Sequence, residues 1–299
     1  MKRAVSISIG SSKRDKAVEI TLLGERVRIE RIGTDGDMKK AAALYTEMDG
    51  KVDAFGVGGA DLGLLVDGKW YPLHSVEFMI EGVKKTPVVD GAGLKNTLEG
   101  HLAQFIDEHI REAVPARTVL MTGGADRWGM SMSFLRAGYE CVFGDLMFAL
   151  GIPIPLRSAA AVKRLAAIIM PIASRLPFEW VYPIGEKQEK RIPKWQSYYA
   201  WAGVVAGDAH YIKRHMPDRL DGKIIATNTT TEEDVEQFRR AGVRYLVTST
   251  PRLEGRSFGT NMMEAALVAA AGKGRPLTHD ELTEFLGRLK MEPQLQKLN

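Results

Sequence analysis

An acid and an imidazole lie together in the second half of the chain, where they could move a proton. Asp208 and His210 follow a predicted buried strand, residues 203–206. Histidine is a suitable proton donor for a carbonyl group that is being reduced, and a nearby carboxylate would tune its pKa. The same two residues could instead cap the helix that follows. The sequence leaves catalysis and capping open, and we take Asp208 and His210 as candidate catalytic residues.

The stretch 118–145 has the pattern of a nucleotide-binding unit. A buried strand ends at Met121, Gly123-Gly124 form a turn, a helix of about three turns follows, and a second strand ends at Asp145. A glycine turn lets backbone amides approach a pyrophosphate, with the positive end of the helix dipole behind them. Asp145 follows Gly123 by 22 positions, which suits a bond to a ribose hydroxyl. The predicted cofactor-binding residues are Thr122, Gly123, Gly124, Ala125, Asp126, Arg127 and Asp145, with Thr227 and Asn228 after a later strand.

The expected cofactor is NAD, with NADP less favoured. A carboxylate at Asp145 would repel a 2′-phosphate, although Arg127 lies close in sequence. The turn departs from the G-x-G-x-x-G fingerprint, because Thr122 and Arg127 occupy two of the glycine positions. A doubly wound domain that binds no dinucleotide is therefore the alternative interpretation.

The elements that position these residues indicate an α/β protein. Apolar strands at 203–206, 223–227 and 244–247 alternate with helices, which is typical of a parallel sheet buried on both faces. We predict a Rossmann-like doubly wound parallel sheet domain with C-terminal helices over residues 101–299. Residues 1–100 are predicted to form an N-terminal mixed α/β domain that binds substrate, with a hairpin turn near Gly24. One long helix, 95–113, is predicted to connect the two.

Bulk properties limit the function classes. The chain has 299 residues and a formal net charge of +4, which is too weak to indicate nucleic-acid binding. A single cysteine excludes an internal disulfide and favours a cytoplasmic location, and we expect neither a signal peptide nor a membrane segment. The six histidines show no metal-ligand spacing, so no metal site is predicted. An aromatic cluster near Trp195 favours core or interface packing and leaves a homodimer open.

Two segments give the chain a resemblance to a known family. Asp90-Gly91-Ala92-Gly93, a following helix and the run VLMTGGADR resemble the shikimate and quinate dehydrogenases, with Gly123-Gly124-Ala125 matching their glycine turn. The resemblance implies a substrate cleft between an N-terminal domain and a Rossmann domain, and it gives Asp90 the role of a substrate-binding catalytic aspartate. The catalytic lysine motif of that family has no match upstream of Asp90.

The resulting expectation is an NAD(P)-dependent oxidoreductase, NAD-linked, that acts on a small polar, carboxylated substrate. One alternative is a nucleotide-binding sensor that does not turn its ligand over. Another is a nucleotide-dependent transferase, served by a second polar cluster after the last strand: Arg252, Arg256, Ser257, Thr260 and Asn261.

Overall fold

The computed structural model describes residues 1–176, 191–250 and 259–299, together with the backbone of two short strands between the last two ranges. The strands are β1 Lys2–Ser8, β2 Lys16–Leu22, β3 Glu25–Gly33, β4 Ala54–Gly58, β5 Gly63–Val66, β6 Lys69–Pro72, β7 Val88–Val89, β8 Thr118–Met121, β9 Glu140–Phe143, β10 Val204–Ala206, β11 Ile224–Thr227, β12 Tyr245–Thr248, β13 Arg252–Leu253, β14 Arg256–Ser257 and β15 Gln294–Lys297. The helices are α1 Met38–Met48, α2 His74–Glu77, α3 Ala92–Glu99, α4 Leu102–Ile110, α5 Trp128–Arg136, α6 Ala159–Ala173, α7 Gln196–Trp201, α8 Ala209–His215, α9 Glu232–Arg240, α10 Thr260–Ala271 and α11 His279–Arg288.

The N-terminal sheet is mixed, as predicted. Its strand order is β2-β3-β1-β4-β7, in which β2 and β3 form an antiparallel hairpin and the other neighbours are parallel. Leu23 and Gly24 join the hairpin with φ angles of 54° and 87°. Two positive φ angles are what a two-residue turn needs to match the twist of its strands.

The C-terminal sheet confirms the predicted doubly wound parallel architecture. Its strand order is β15-β12-β11-β10-β8-β9, with only the edge strand β15 antiparallel to its neighbour. Val119 and Met121 of β8 face one apolar core and Leu120 faces another, so both faces of the sheet are covered. The chain places β9 on one side of β8 and β10 on the other. The strand order therefore reverses at β8, which is where open α/β sheets bind ligands.

Helix α10 belongs to the second half of the sequence but packs on the N-terminal sheet. Its apolar side chains share a core with Ala4, Leu22 and Ile29. The N-terminus of α10 comes very close to the sheet, because a Cβ atom on Gly56 would lie 2.8 Å from the carbonyl oxygen of Asn261. The predicted division at residue 100 stays a prediction, and across it the two halves of the chain share one packed core.

Several predicted elements differ in extent. The predicted helix 95–113 is two helices, α3 and α4, that meet at Gly100-His101. Glycine is a poor helix former. The break separates α3, whose Leu94 and Leu98 lie in one apolar core, from α4, whose apolar side chains lie in the main core. The edge strand β15 has no counterpart in the sequence prediction, since three of its four residues are polar and all four are only partly buried or exposed.

Candidate active site

Most of the predicted cofactor-binding residues lie around one cavity at the carboxyl ends of β8, β9 and β10. Its volume is about 450 Å³, within the range of about 300–1,000 Å³ that small-molecule pockets occupy. The predicted residues that line it are Thr122, Gly123, Ala125, Asp126, Arg127, Asp145 and Asp208. Tyr211 and Arg214 from α8 extend the polar wall. The opposite wall is apolar and contains Phe148, Leu165, Ile169 and Met170.

Asp145 lies inside the glycine turn. Its carboxylate accepts hydrogen bonds from the amides of Gly124 and Ala125 at 3.0 and 2.8 Å. Gly124 cannot carry a side chain easily, because a Cβ atom would lie 2.8 Å from the ring of Phe143. Burial raises the pKa of Asp145, and the two amide hydrogen bonds only partly oppose this. The amides that were predicted to approach a pyrophosphate thus already donate to Asp145.

Two other donors in the cavity are unused. The hydroxyl of Thr122 and Nε of Arg214 are buried without a hydrogen-bond partner among the residues that the structure describes. Thr122 lies so close to Gly207 that a Cβ atom there would overlap its hydroxyl, and Gly207 has a φ of +136°. An unsatisfied buried polar group costs about 1–3 kcal/mol, so such groups in a cavity are natural contacts for a ligand.

A network of buried charges joins this cavity to the N-terminal sheet. The guanidinium of Arg127 donates to Glu99 and to Asp208, both at 2.7 Å, and its Nε lies 3.2 Å from Asp126. The ammonium of Lys95 lies 3.4 Å from Asp126 and 3.7 Å from Asp61. Asp61 follows β4 of the first sheet, whereas Asp126 and Asp208 follow β8 and β10 of the second. The carboxyl edges of the two sheets therefore meet at this network.

Burial and charge have opposite effects on the pKa of four members of the network. Burial raises the pKa of Asp61 and of Glu99, and the nearby cations only partly offset it. For Asp126 the effect of burial is outweighed by Lys95 and Arg127, so its pKa is lowered. Burial opposes the charge of Lys95 as well, but Asp126 and Asp61 outweigh it and raise the lysine pKa. Lys95 is thus a permanent cation, and Asp61 holds a proton more readily than an ordinary aspartate.

Three members of the network are partly exposed. The side chains of Asp61, Asp126 and Asp208 are 26%, 35% and 21% exposed, whereas those of Lys95, Arg127 and Glu99 are buried. A molecule in the cleft would therefore meet these three carboxyl groups first, with the positive charges of Lys95 and Arg127 behind them.

The predicted catalytic residues are not brought together. His210 is exposed and does not line the cavity; its backbone amide donates to Asp208, as helix capping requires. Both oxygens of Asp90 are engaged, one with the amide of Leu62 and one with the amide of Ala92. The structure thus favours the capping alternative for His210, and it makes Asp90 a residue that orders the loop beside Asp61.

The two later cofactor-binding candidates lie beside the network. Thr227 is fully buried, and its hydroxyl donates to the side-chain oxygen of Asn228 at 3.1 Å. The amide group of Asn228 donates to Asp208 at 3.2 Å. These two residues therefore hold Asp208 in place and do not line the 450 Å³ cavity.

Two members of the second polar cluster, Thr260 and Asn261, are described, and neither lines the cavity. The side-chain amide of Asn261 donates to the hydroxyl of Ser6 at 2.7 Å. The side chains of Arg252, Arg256 and Ser257 lie outside the described residues. Within the described residues, no group of three or more His, Cys, Asp or Glu side chains is arranged to hold a metal ion.

Sequence reasoning missed Lys95, Glu99 and Asp61. Lys95 and Glu99 are four residues apart, so they share a face of α3, and this spacing was the available signal. A larger open groove of about 800 Å³ lies elsewhere, near His101, Trp128 and Arg136. None of the predicted site residues is among the described residues that line this groove.

A family model covers most of the chain, including α3 and the whole second sheet. It matches residues 93–298 and is described as a domain of unknown function, DUF8754. The chain belongs to this family. A second model, the domain of unknown function DUF8753, matches residues 3–90. The boundary between the two matches falls between β7 and α3, just before Lys95.

No curated protein matches the chain. Solved structures that are similar to it include a malic enzyme from Entamoeba histolytica, at 11% identity and a TM-score of 0.42 over 96% of this chain and 63% of that one. An NAD-dependent malic enzyme from Thermotoga maritima has 12% identity and a TM-score of 0.35, covering 95% of this chain and 83% of the enzyme. A galactofuranose binding protein has the same identity and score, covering 98% and 94%. These likenesses are too distant to carry a functional argument. No described helix is long and apolar enough to cross a membrane.

Proposed function

We propose that the chain is an NAD-linked oxidoreductase that acts on a small polar, carboxylated substrate in the cleft between its two sheets. The observation that carries the proposal is the cavity at the reversal of the strand order. It combines Asp145 after β9, two buried donors that have no hydrogen-bond partner among the described residues, and an apolar wall.

The residues of the cavity fit the parts of a dinucleotide. Asp145, fixed by the turn amides, would accept a hydrogen bond from a ribose hydroxyl. Thr122 and Arg214 offer the unused donors that a phosphate needs. Phe148, Ile169 and other apolar side chains offer a surface for a base. Bound NAD would supply the hydride acceptor, and the protein supplies placement and a proton path.

The charge network is suited to the proton and charge changes of such a reaction. Oxidation of an alcohol releases a proton, and Asp61, which is 26% exposed and has a raised pKa, is the carboxyl group that would take it up. Lys95 stays positively charged beside Asp61 and would stabilise negative charge on a substrate oxygen. Asp90 acts indirectly, because it holds the amide of Leu62 and thereby orders the loop that carries Asp61.

A non-catalytic nucleotide sensor is the second candidate. The observation that favours it is the exposure of His210 away from the cavity, together with the full engagement of Asp90. A sensor would bind the nucleotide through the same cavity and show no turnover with hydroxy acids.

Calorimetry with NAD, NADP and GTP tests the proposal. We expect NAD to bind more tightly than NADP or GTP. Because a hydrogen bond to a charged group contributes about 1.5–3 kcal/mol, Arg214→Gln should weaken NAD binding by roughly ten-fold or more. Arg219→Gln is the matched control, since Arg219 is exposed and pairs with Asp221 outside the cavity. The absence of NAD binding, or equal binding by the Arg214 and Arg219 variants, would refute the proposal.

A further inference from the structure

The N-terminal sheet has its own reversal of strand order. Strands β3 and β4 lie on opposite sides of β1, so the order reverses where β1 ends, at Ser8. Parallel sheets bind ligands outside the carboxyl ends of their strands at such points. Asp61 follows the carboxyl end of the neighbouring strand β4, so this point lies on the same edge of the sheet as the charge network.

Donor groups converge on Gly10, directly after β1. The point where a Cβ atom of Gly10 would lie is 2.8 Å from Nη2 of Arg14, 3.1 Å from Nη2 of Arg31 and 3.3 Å from the hydroxyl of Ser8. The absence of a side chain at position 10 therefore lets the two guanidinium groups pack close to each other over the Gly10 backbone.

Arg31 is held rigidly in this arrangement. Its Nη1 donates to the carbonyl of Ser11 at 2.9 Å and to Asp15 at 2.8 Å, and its Nη2 donates to Ser8 at 3.0 Å. Nε and one hydrogen on Nη2 remain unused by these bonds. Burial lowers the pKa of Arg31, and the charge of Arg14 lowers it further. The charges of Asp15 and Asp35 oppose both effects. The three hydrogen bonds hold the guanidinium in one orientation.

The nearby carboxylates do not neutralise Arg14. Asp15 pairs with Arg31, and Asp35 accepts the amide of Ser12 at 2.7 Å on the other side of the loop. Within the described part of the chain, Arg14 makes no ion pair or side-chain hydrogen bond. Among the described residues, Arg14 is thus a cation beside Arg31 with no carboxylate in contact, and a bound anion would offset its charge.

We propose that Arg14 and Arg31, with the hydroxyl of Ser8 behind them, form a binding site for an oxyanion of the carboxylate or phosphate class. Guanidinium groups match the geometry of both anions. Adjacent strands are about 4.8 Å apart, so a small molecule can reach from this site to Asp61 after the next strand. The assignment of the oxyanion as the carboxylate of the substrate rests on the proposed function, whereas the anion site itself does not.

Amide chemical shifts of the full-length, ¹⁵N-labelled chain, titrated with succinate or inorganic phosphate at constant ionic strength, test the site. We expect saturable shifts at Gly10 and Ser11 with one or both probes; a response to succinate alone identifies a carboxylate site, and one to phosphate a phosphate site. Arg14→Gln should weaken this binding by at least about ten-fold. Arg26→Gln should leave it unchanged, because Arg26 lies on β3 and pairs with Glu19 at the surface.

The site is refuted if neither probe shifts these resonances, or if Arg14→Gln binds as tightly as the wild type. Arg14 is exposed, so its variant is expected to fold, and the dispersion of the remaining resonances checks this directly. Calorimetry with NAD is independent of this titration. Failure of NAD binding would therefore remove the proposed function and leave the anion site standing.

Discussion

Replacement of Glu264 by glutamine should remove a pH dependence from the stability of the fold. Glu264 lies on α10 and is 4% exposed. Its Oε2 accepts the amide of Leu94 at 2.9 Å, at the N-terminus of α3. Burial has the largest effect on its pKa, which it raises; hydrogen bonds from Leu94 and Gly93 oppose this, and the result is a pKa of about 7.

The sign and size of the effect follow from the two pKa values. The ordinary pKa of glutamate is 4.5, and the folded value is about 7, so the folded chain binds the proton more tightly than the unfolded chain. The stabilisation is complete below pH 4.5 and is lost as the pH rises through 7. A pKa difference of about 2.5 corresponds to about 3 kcal/mol of unfolding free energy. Glutamine stays neutral throughout, so the variant should not show this loss.

Urea unfolding between pH 4.5 and 8.5 measures the effect. The wild type should lose about 3 kcal/mol relative to Glu264→Gln across this range, with most of the loss between pH 5 and 7. Glu284→Gln is the control, because Glu284 is 65% exposed on the neighbouring helix α11. If the wild type and Glu264→Gln gave parallel curves, Glu264 would titrate at its ordinary pKa and its burial would not control its ionisation.

Two further substitutions test the glycine turn and the close contact between Gly207 and Thr122. Asp145→Ala leaves two turn amides without an acceptor, so we expect a loss of about 2–4 kcal/mol in unfolding free energy, together with weaker NAD binding in calorimetry; unchanged stability would contradict the hydrogen bonds. Gly207→Ala should destabilise by more than about 2 kcal/mol, since it combines a positive φ with overlap on Thr122. Gly138→Ala is the control, because Gly138 also has a positive φ but has open space around it. Its chemical denaturation midpoint should therefore fall less than that of Gly207→Ala. Equal losses would show that Thr122 moves away from the new methyl group at position 207.

The second sheet was predictable because its signals are local. A strand buried on both faces, a glycine turn and a helix must bring the end of the next strand beside the turn, so the spacing of 22 residues placed Asp145 correctly near Gly123. The spacing could not show that the carboxylate of Asp145 would accept the hydrogen bonds of the turn amides. That outcome depends on differences of an ångström in how Phe143 and Gly124 pack.

The charge network was not predictable from spacing. Asp61, Lys95 and Asp208 come from three regions of the chain, and only the packing of α3 between two sheets brings them together. For His210 the local pattern was visible in the sequence, but its role was ambiguous. A polar residue after a strand serves a helix cap and an active site equally well, and only the direction of its side chain separates the two roles.

Helix α3 is the element through which the two sheets act on each other. Lys95 on this helix lies between Asp61 of the first sheet and Asp126 of the second, and Glu264 on α10 accepts hydrogen bonds at its N-terminus. A movement of one sheet edge relative to the other would separate Lys95 from one of its carboxylates and leave a charge unpaired, which costs several kcal/mol in a buried site. The cleft is therefore held by the same residues that the proposed chemistry uses. A ligand that replaces one of these carboxylate contacts with its own oxyanion would lower the cost of such a movement.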